Sequence, residues 1–251
     1  MLRESTSPLS ADYDLAAVPR APEAIAAARE AGMRVAFITN NASRTPDAVS
    51  GHLTRLGGTA TPDDIVTSAQ AAARILADRF PKGSPILMTG GEGLDTALRE
   101  VGLAPVSDLD DAPVAVATGY GPDLPWSRIL LGAIAIADGL PWVATNTDST
   151  IPTDWGIGPG HGTLVDLLQR FSGREAEVAG KPARPLLDET RRRMGAERPL
   201  MVGDRLDTDI AGGVNAEVDS LLVMTGVTTV ADLAIAGPGE RPTYIAADLR
   251  G

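Results

Sequence analysis

The sequence predicts an α/β protein built on parallel sheet. Short apolar runs alternate with alanine-rich helical stretches along nearly the whole chain. Most of those runs are continuously apolar rather than alternating, the pattern of strands covered on both faces. The helical stretches are punctuated by Pro or Thr at their starts and Gly at their ends. Repeated strand–helix alternation implies right-handed crossovers and a layered α/β architecture.

Taken in chain order, Pro22–Ala31 is expected to be a helix, with a proline in its first turn and Gly32 as the stop. Arg34–Ile38 is the first strand. Thr45–Leu56 reads as a helix with Thr45 as N-cap, Pro46 at the first helical position and Gly57 beyond the end. Helices follow over Ser68–Arg79 and Gly93–Val101, around a strand at Pro85–Thr89. Val114–Thr118 and Trp142–Thr145 are strands flanking a helix at Trp126–Ala137. Gly162–Phe171 and Pro185–Met194 are helices. The strand Leu200–Val202, the helix Thr208–Ala216 and the strand Leu221–Thr225 complete the series. No internal repeat or low-complexity tract interrupts it, and helix propensity accounts for the abundant alanine.

The chain has 251 residues, of which 43% are hydrophobic, enough for a substantial core in one or two domains. Lys+Arg is 22 and Asp+Glu is 33, a net charge of −11. That balance argues against nucleic-acid binding, which needs a basic footprint, but not against a small phosphorylated metabolite held in a locally positive site. The absence of cysteine excludes disulfides, thiolate catalysis and cysteine metal sites. No apolar run approaches the roughly 18 residues of a membrane span, and the first residues lack the apolar core of a secretory signal. A cytoplasmic location and no membrane partner are expected.

Four segments carry chemistry. Phe37–Asn41 runs a buried strand into Thr39, Asn40 and Asn41, a hydroxyl and two amides at a strand's carboxyl end, where open α/β sheets bind ligands. A plain Thr/Asn turn is the competing reading. Ala179-Gly180-Lys181-Pro182 holds Lys181 on a short loop before a helix, its point charge suited to phosphate; a solvated turn lysine is the alternative. In Met201–Ile210 a buried strand ends in Gly203-Asp204, and Asp207 and Asp209 follow at a helix start. Clustered carboxylates suit a hard cation such as Mg²⁺. Helix capping explains Asp207 or Asp209 equally well, but explains Asp204 less well. Asn146-Thr147-Asp148 and Pro159-Gly160-His161-Gly162 add polar loop groups placed to read a substrate.

In this order and spacing, ITNNASRTP, TNTDSTIPT, AGKP and GDRLDTDI resemble motifs of the haloacid dehalogenase (HAD) superfamily. The long insert between Thr39 and Lys181 resembles that of subfamily IIA, whose small-molecule phosphatases act on esters of the glycerol-3-phosphate and p-nitrophenyl phosphate kind. The resemblance runs from about Pro19 to Leu249. It implies a Rossmann-like parallel-sheet core over residues 1–66 and 180–251, and an inserted α/β cap of the C2 type over 67–179. It also implies a Mg²⁺-dependent phosphomonoesterase. Thr39 and Asn40 would contact phosphate. Lys181 would neutralise it and orient the nucleophile. Asp204 would be a metal ligand, with Asp209 an outer-shell or second ligand. Asn146, Asp148 and His161 would line the substrate. Hinges would fall near Val66–Ser68 and Val178–Gly180, and cap-mediated homodimers would fit the resemblance.

The family's first motif, Asp-x-Asp-Gly, has no counterpart. Its place falls near Thr6–Leu9, which has no carboxylate. Asp12-Tyr13-Asp14 has the spacing, but Leu15 stands where glycine belongs and no apolar strand precedes it. Losing a nucleophile costs a covalent hydrolase about 10⁴-fold or more in rate. Two expectations follow. One is a phosphatase whose first residues are misread through a frameshift or misplaced start. The other is a non-catalytic relative that binds phosphate esters. A dinucleotide-binding protein is disfavoured, because Gly91-Glu92-Gly93 lacks the third glycine, Thr96 standing there. A histidine-based hydrolase is disfavoured too, since neither His52 nor His161 has a serine elbow to serve.

Overall fold

The structure is a computed structural model and describes residues 20–153 and 155–249. The elements run α1 (Ala21–Glu30), β1 (Phe37–Thr39), α2 (Pro46–Arg55), β2 (Ile65–Thr67), α3 (Ser68–Ala77), β3 (Pro85–Thr89), α4 (Glu92–Glu100), β4 (Ala104–Val106) and β5 (Ala115–Thr118). They continue α5 (Trp126–Ala137), β6 (Trp142–Ala144), β7 (Thr150–Thr153), β8 (Gly156–Pro159), α6 (His161–Ser172), β9 (Glu177–Val178), α7 (Pro185–Met194) and β10 (Leu200–Gly203). A single π-helical turn, Leu206–Ile210, leads into α8 (Ala211–Asn215), followed by β11 (Asp219–Val223), α9 (Val230–Ile235) and β12 (Tyr244–Ala246). The chain forms two compact units. Of the described residues, the first takes in Thr39–Ala48 and Thr67–Gly180, and the second 20–38, Val49–Val66 and 181–249.

The first unit contains a five-stranded parallel sheet in the order β4-β3-β5-β6-β9. Two of its central strands are buried throughout, as residues flanked by helices on both faces are: all of Ala115–Thr118 and Trp142–Ala144 is buried. Leu87, Val116, Ala133, Ile136, Trp142, Val165 and Leu168 pack into one core beneath α5 and α6. The Trp142 indole donates to the Thr118 hydroxyl at 3.0 Å, so its one polar atom is satisfied inside the core. Trp126 and Trp155, by contrast, are mostly exposed. α3 begins with a reciprocal capping box, Gln70 N to Thr67 Oγ1 at 3.2 Å and Thr67 N to Gln70 Oε1 at 2.9 Å.

The second unit carries the parallel sheet β10-β11-β12, with Leu187, Met201, Ala216 and Val218 clustered on one side, together with Ile38. Leu206, Ile210, Leu222 and Ala236 form a further cluster. α7 spans Pro185–Met194, as its sequence predicted, and Gly195 ends it with φ 59°.

The structure differs from the sequence reading in several places. β1 lies at 37–39 rather than 34–38, and the Arg34 side chain, ahead of the strand, donates to the Met194 carbonyl at 2.5 Å. The expected helix 208–216 is a π-turn followed by α8. The hairpin β7–β8 gave no strand signal, since Pro152, Pro159 and two glycines occupy it. Those residues are tolerated because, among the described residues, the pair stands alone with no ladder on its outer edges. Pro105 likewise sits in β4, an edge strand.

Candidate functional site

Within the first unit, β1 ends in Thr39 and turns. The Thr39 hydroxyl accepts the Asn41 amide at 3.1 Å, and Asn41 Oδ1 accepts the amide and hydroxyl of Ser43, both at 2.9 Å. These side-chain-to-backbone bonds fix a tight polar turn in place of continued strand. Asn40 Nδ2 donates to Asp148 Oδ1 at 3.2 Å. The Asn40 carbonyl accepts from Ser68 Oγ at 2.7 Å and from Asn146 Nδ2 at 2.8 Å. Asn146 follows β6 and is buried. Its Oδ1 accepts the Asp148 amide at 3.1 Å, and its carbonyl lies 2.8 Å from His161 Nδ1.

His161, the first residue of α6, is 3% exposed. A carbonyl only accepts, so Nδ1 carries the ring proton. Nε2 is buried and has no hydrogen-bond partner among the described residues. A second proton there would be desolvated with nothing to receive it, and burial holds the imidazole pKa down to about 4 although the Asn146 carbonyl bond pulls the other way. His161 is therefore a neutral, buried donor at the start of α6 rather than a residue of the preceding loop. Gly160 and Gly162 are there for close approach: a Cβ at either would overlap backbone of Thr147–Thr150.

A cleft of about 450 Å³ in the same unit is lined by Arg44, Glu92, Tyr120, Asp123 and Arg128 with the glycines after β3 and β5. It sits where the strand order reverses, since β4 lies on one side of β3 and β5 on the other. Sequence reasoning gave Gly91–Gly93 only a turn. The closer reason for Gly93 is that a Cβ there would meet the carbonyls of Ala42 and Arg44 at 2.6 and 2.5 Å.

In the second unit, the strand β10 ends at Gly203 and delivers Asp204. The three carboxylates that follow one another in sequence have separate partners. Asp204 Oδ2 accepts the Val227 amide at 3.0 Å, its carbonyl accepts Thr228 Oγ1 at 2.6 Å, and Oδ1 has no hydrogen bond among the described residues. Asp207 is exposed and takes a two-pronged bond from Arg205, at 3.0 and 2.6 Å, which holds its pKa below the usual carboxylate range. Asp209 is buried. Its Oδ2 accepts the amides of Asp204 and Arg205 at 3.2 Å each, and its Oδ1 receives Lys181 Nζ at 2.6 Å.

The Lys181–Asp209 pair has side-chain exposures of 11% and 9%. The lysine stem packs over Gly212 in α8, 3.5 Å from its Cβ position, and Asn215 Nδ2 holds the Pro182 carbonyl at 2.8 Å. Two further glycines were not singled out from sequence. A Cβ on Gly203 would overlap the Asp209 carboxylate, and one on Gly226 would overlap that of Asp204. The π-turn that carries Asp207 and Asp209 is of a kind that recurs at functional sites.

Another buried carboxylate, Glu189, is structural. Burial would raise its pKa, but hydrogen bonds and charges from Arg192 and Arg193 hold it low.

The residues fit a magnesium ion as part of its shell. Mg²⁺ takes one or two carboxylates and completes its octahedron with water and phosphate oxygens. Asp204 offers one hard oxygen at a strand end, and Asp209, already engaged on both oxygens, suits the outer sphere. Among the described residues no group of three or more carboxylates and imidazoles gathers. Asp12 and Asp14 lie outside the described residues. No helix among the described residues is long and apolar enough to cross a membrane.

Comparison with known proteins gives consistent matches. Residues 14–104 match the family described as haloacid dehalogenase-like hydrolase, and 178–251 match one described as HAD-hydrolase-like. D-glycerol 3-phosphate phosphatase of Mycobacterium tuberculosis is 46% identical over 217 residues, covering 86% of this chain and 62% of that protein. The chain thus spans less than two thirds of that relative's length. Acid sugar phosphatase of Staphylococcus aureus is 32% identical over 215 residues, 85% of this chain and 81% of that one. Among solved structures, a glycerol phosphate phosphatase of M. tuberculosis in complex with magnesium superposes with a TM-score of 0.88 at 44% identity. That match covers 92% of this chain and 70% of that one.

Proposed function

The chain belongs to the haloacid dehalogenase superfamily, among its subfamily IIA members, and from that premise we propose that it acts on small phosphate monoesters of the glycerol phosphate class with Mg²⁺. The observation that carries this reading is the buried Lys181, held at 2.6 Å by Asp209 one turn beyond Asp204. A lysine costs several kcal/mol to bury unless its charge is used, and a paired one is pre-aimed rather than flexible.

In this reading Lys181 Nζ faces the phosphoryl oxygens and Asp209 orients it. Thr39 and Asn40 supply hydroxyl and amide donors of the kind that suit phosphate oxygens. Asp204 contributes a ligand to Mg²⁺, which when bound offsets negative charge on phosphate and carboxylate. We assign the catalytic core to residues 1–66 and 180–251 and a C2-type cap to 67–179. Turnover further needs a nucleophilic aspartate and a second carboxylate to protonate the leaving oxygen.

A second reading is binding without turnover. It is favoured by Leu15, which stands where an Asp-x-Asp motif at Asp12-Tyr13-Asp14 would need glycine. The full chain incubated with glycerol 3-phosphate and Mg²⁺ separates the two. Release of inorganic phosphate supports the hydrolase. Saturable binding without release supports the binding protein. Neither would refute both.

A further inference from the structure

We propose that Asp148 and Asn146 do not touch substrate but are positioning residues that hold the Thr39–Asn41 turn in shape; the purpose assigned to that turn rests on the phosphate reading above. Three hydrogen bonds close a ring. Asn40 Nδ2 donates to Asp148 Oδ1, the Asp148 amide donates to Asn146 Oδ1, and Asn146 Nδ2 donates back to the Asn40 carbonyl. Both functional groups of Asn40, side chain and carbonyl, are thereby tied to one loop that is more than a hundred residues away in sequence.

That loop is itself immobilised. Asn146 is 4% exposed and its carbonyl receives the buried His161 Nδ1. The Asp148 carbonyl accepts the Gly162 amide at 2.9 Å. Three of the four points at which the described chain enters or leaves this unit lie beside Asn40. Thr39 opens it, Ser68 beside Thr67 donates to the Asn40 carbonyl, and Gly180 closes it with its Cβ position 2.6 Å from Asn40 Oδ1. A side chain at Gly180 would displace the Asn40 amide. A carboxylate that already accepts from Asn40 and stands beside a turn assigned to an anion is poorly chosen to contact that anion. It is well chosen to fix the orientation of an amide, whose two ends otherwise exchange freely.

The test uses the full chain and inorganic phosphate with Mg²⁺, in titration calorimetry and in ¹H–¹⁵N spectra of the asparagine side chains. Asp148→Ala is expected to shift the Asn40 side-chain amide pair without any ligand, and to weaken phosphate binding about tenfold, the scale of one charged hydrogen bond. Asp148→Asn keeps an acceptor oxygen and is expected to restore most of both. A direct contact predicts the opposite sign, because removing a negative charge beside a bound anion leaves affinity unchanged or raises it. That result, or Asn40 signals unmoved in Asp148→Ala, overturns the proposal. Should Asp148→Ala fail to fold, Asn146→Ala must move the same Asn40 signals, and their constancy is equally fatal. Absence of phosphate binding in the unaltered chain would sink the functional reading, while the spectra alone would still decide the clasp.

Discussion

Replacing Lys181 by methionine removes a charge from a buried pair and keeps most of the stem that packs over Gly212. At 2.6 Å the attraction is about 6 kcal/mol with an effective dielectric of roughly 20. Desolvation of the two ions offsets a large part of it, and breaking such pairs typically costs about 3–5 kcal/mol because one charge is left buried. Asp209 keeps two backbone amides, so the lower end, about 3 kcal/mol, is expected. Amide hydrogen exchange at Asp204 and Arg205 reads this locally, since both N–H groups bond to Asp209. Their protection should fall about a hundredfold, the equivalent of about 3 kcal/mol. Lys181→Met with Asp209→Asn removes both charges of the pair and should recover at least about 1 kcal/mol of that loss. A loss below about 1 kcal/mol in the single variant, or a larger loss in the double, would refute the reasoning.

Two other outcomes follow from the same geometry. Gly226→Ala places a methyl group against the Asp204 carboxylate without changing any charge. Mg²⁺ affinity in the presence of phosphate, read by calorimetry, should fall about tenfold or more, the scale of displaced support around a metal ligand; unchanged affinity would remove Asp204 from the metal site. His161 has a folded pKa of about 4 against 6.5 unfolded, so the unfolded chain binds the extra proton first. Its contribution is whole above pH 6.5, is lost as pH falls towards about 4, and amounts to about 3 kcal/mol. Denaturant midpoints followed by the buried Trp142 across that range should show it, and His161→Asn should flatten the slope.

Much of the fold was legible because burial on both faces leaves an unmistakable sequence. Pro85–Thr89, Trp126–Ala137 and Pro185–Met194 lie where apolar runs and caps placed them. The hairpin of β7 and β8 was not legible, since its prolines and glycines mimic a loop. α9 was missed although Thr229 and Asp232 form a capping box, because six residues are too few for a periodic face. In the site, residue types were readable and partners were not. Asp204, Asp207 and Asp209 look alike in sequence, and only the fold gives one to Val227, one to Arg205 and one to Lys181. Asn40 and Asp148 were each picked out as ligand contacts. Nothing local announces that they bond to each other across 108 positions.

The central claim is that a paired lysine and a strand-end aspartate make a magnesium-dependent phosphate-ester site. The most direct measurement is calorimetric titration of the full chain with glycerol 3-phosphate, with and without Mg²⁺, beside the Lys181→Met/Asp209→Asn variant. The account predicts saturable binding that requires Mg²⁺ and disappears in the variant. Equal binding by both proteins, or none by the unaltered chain, would contradict it.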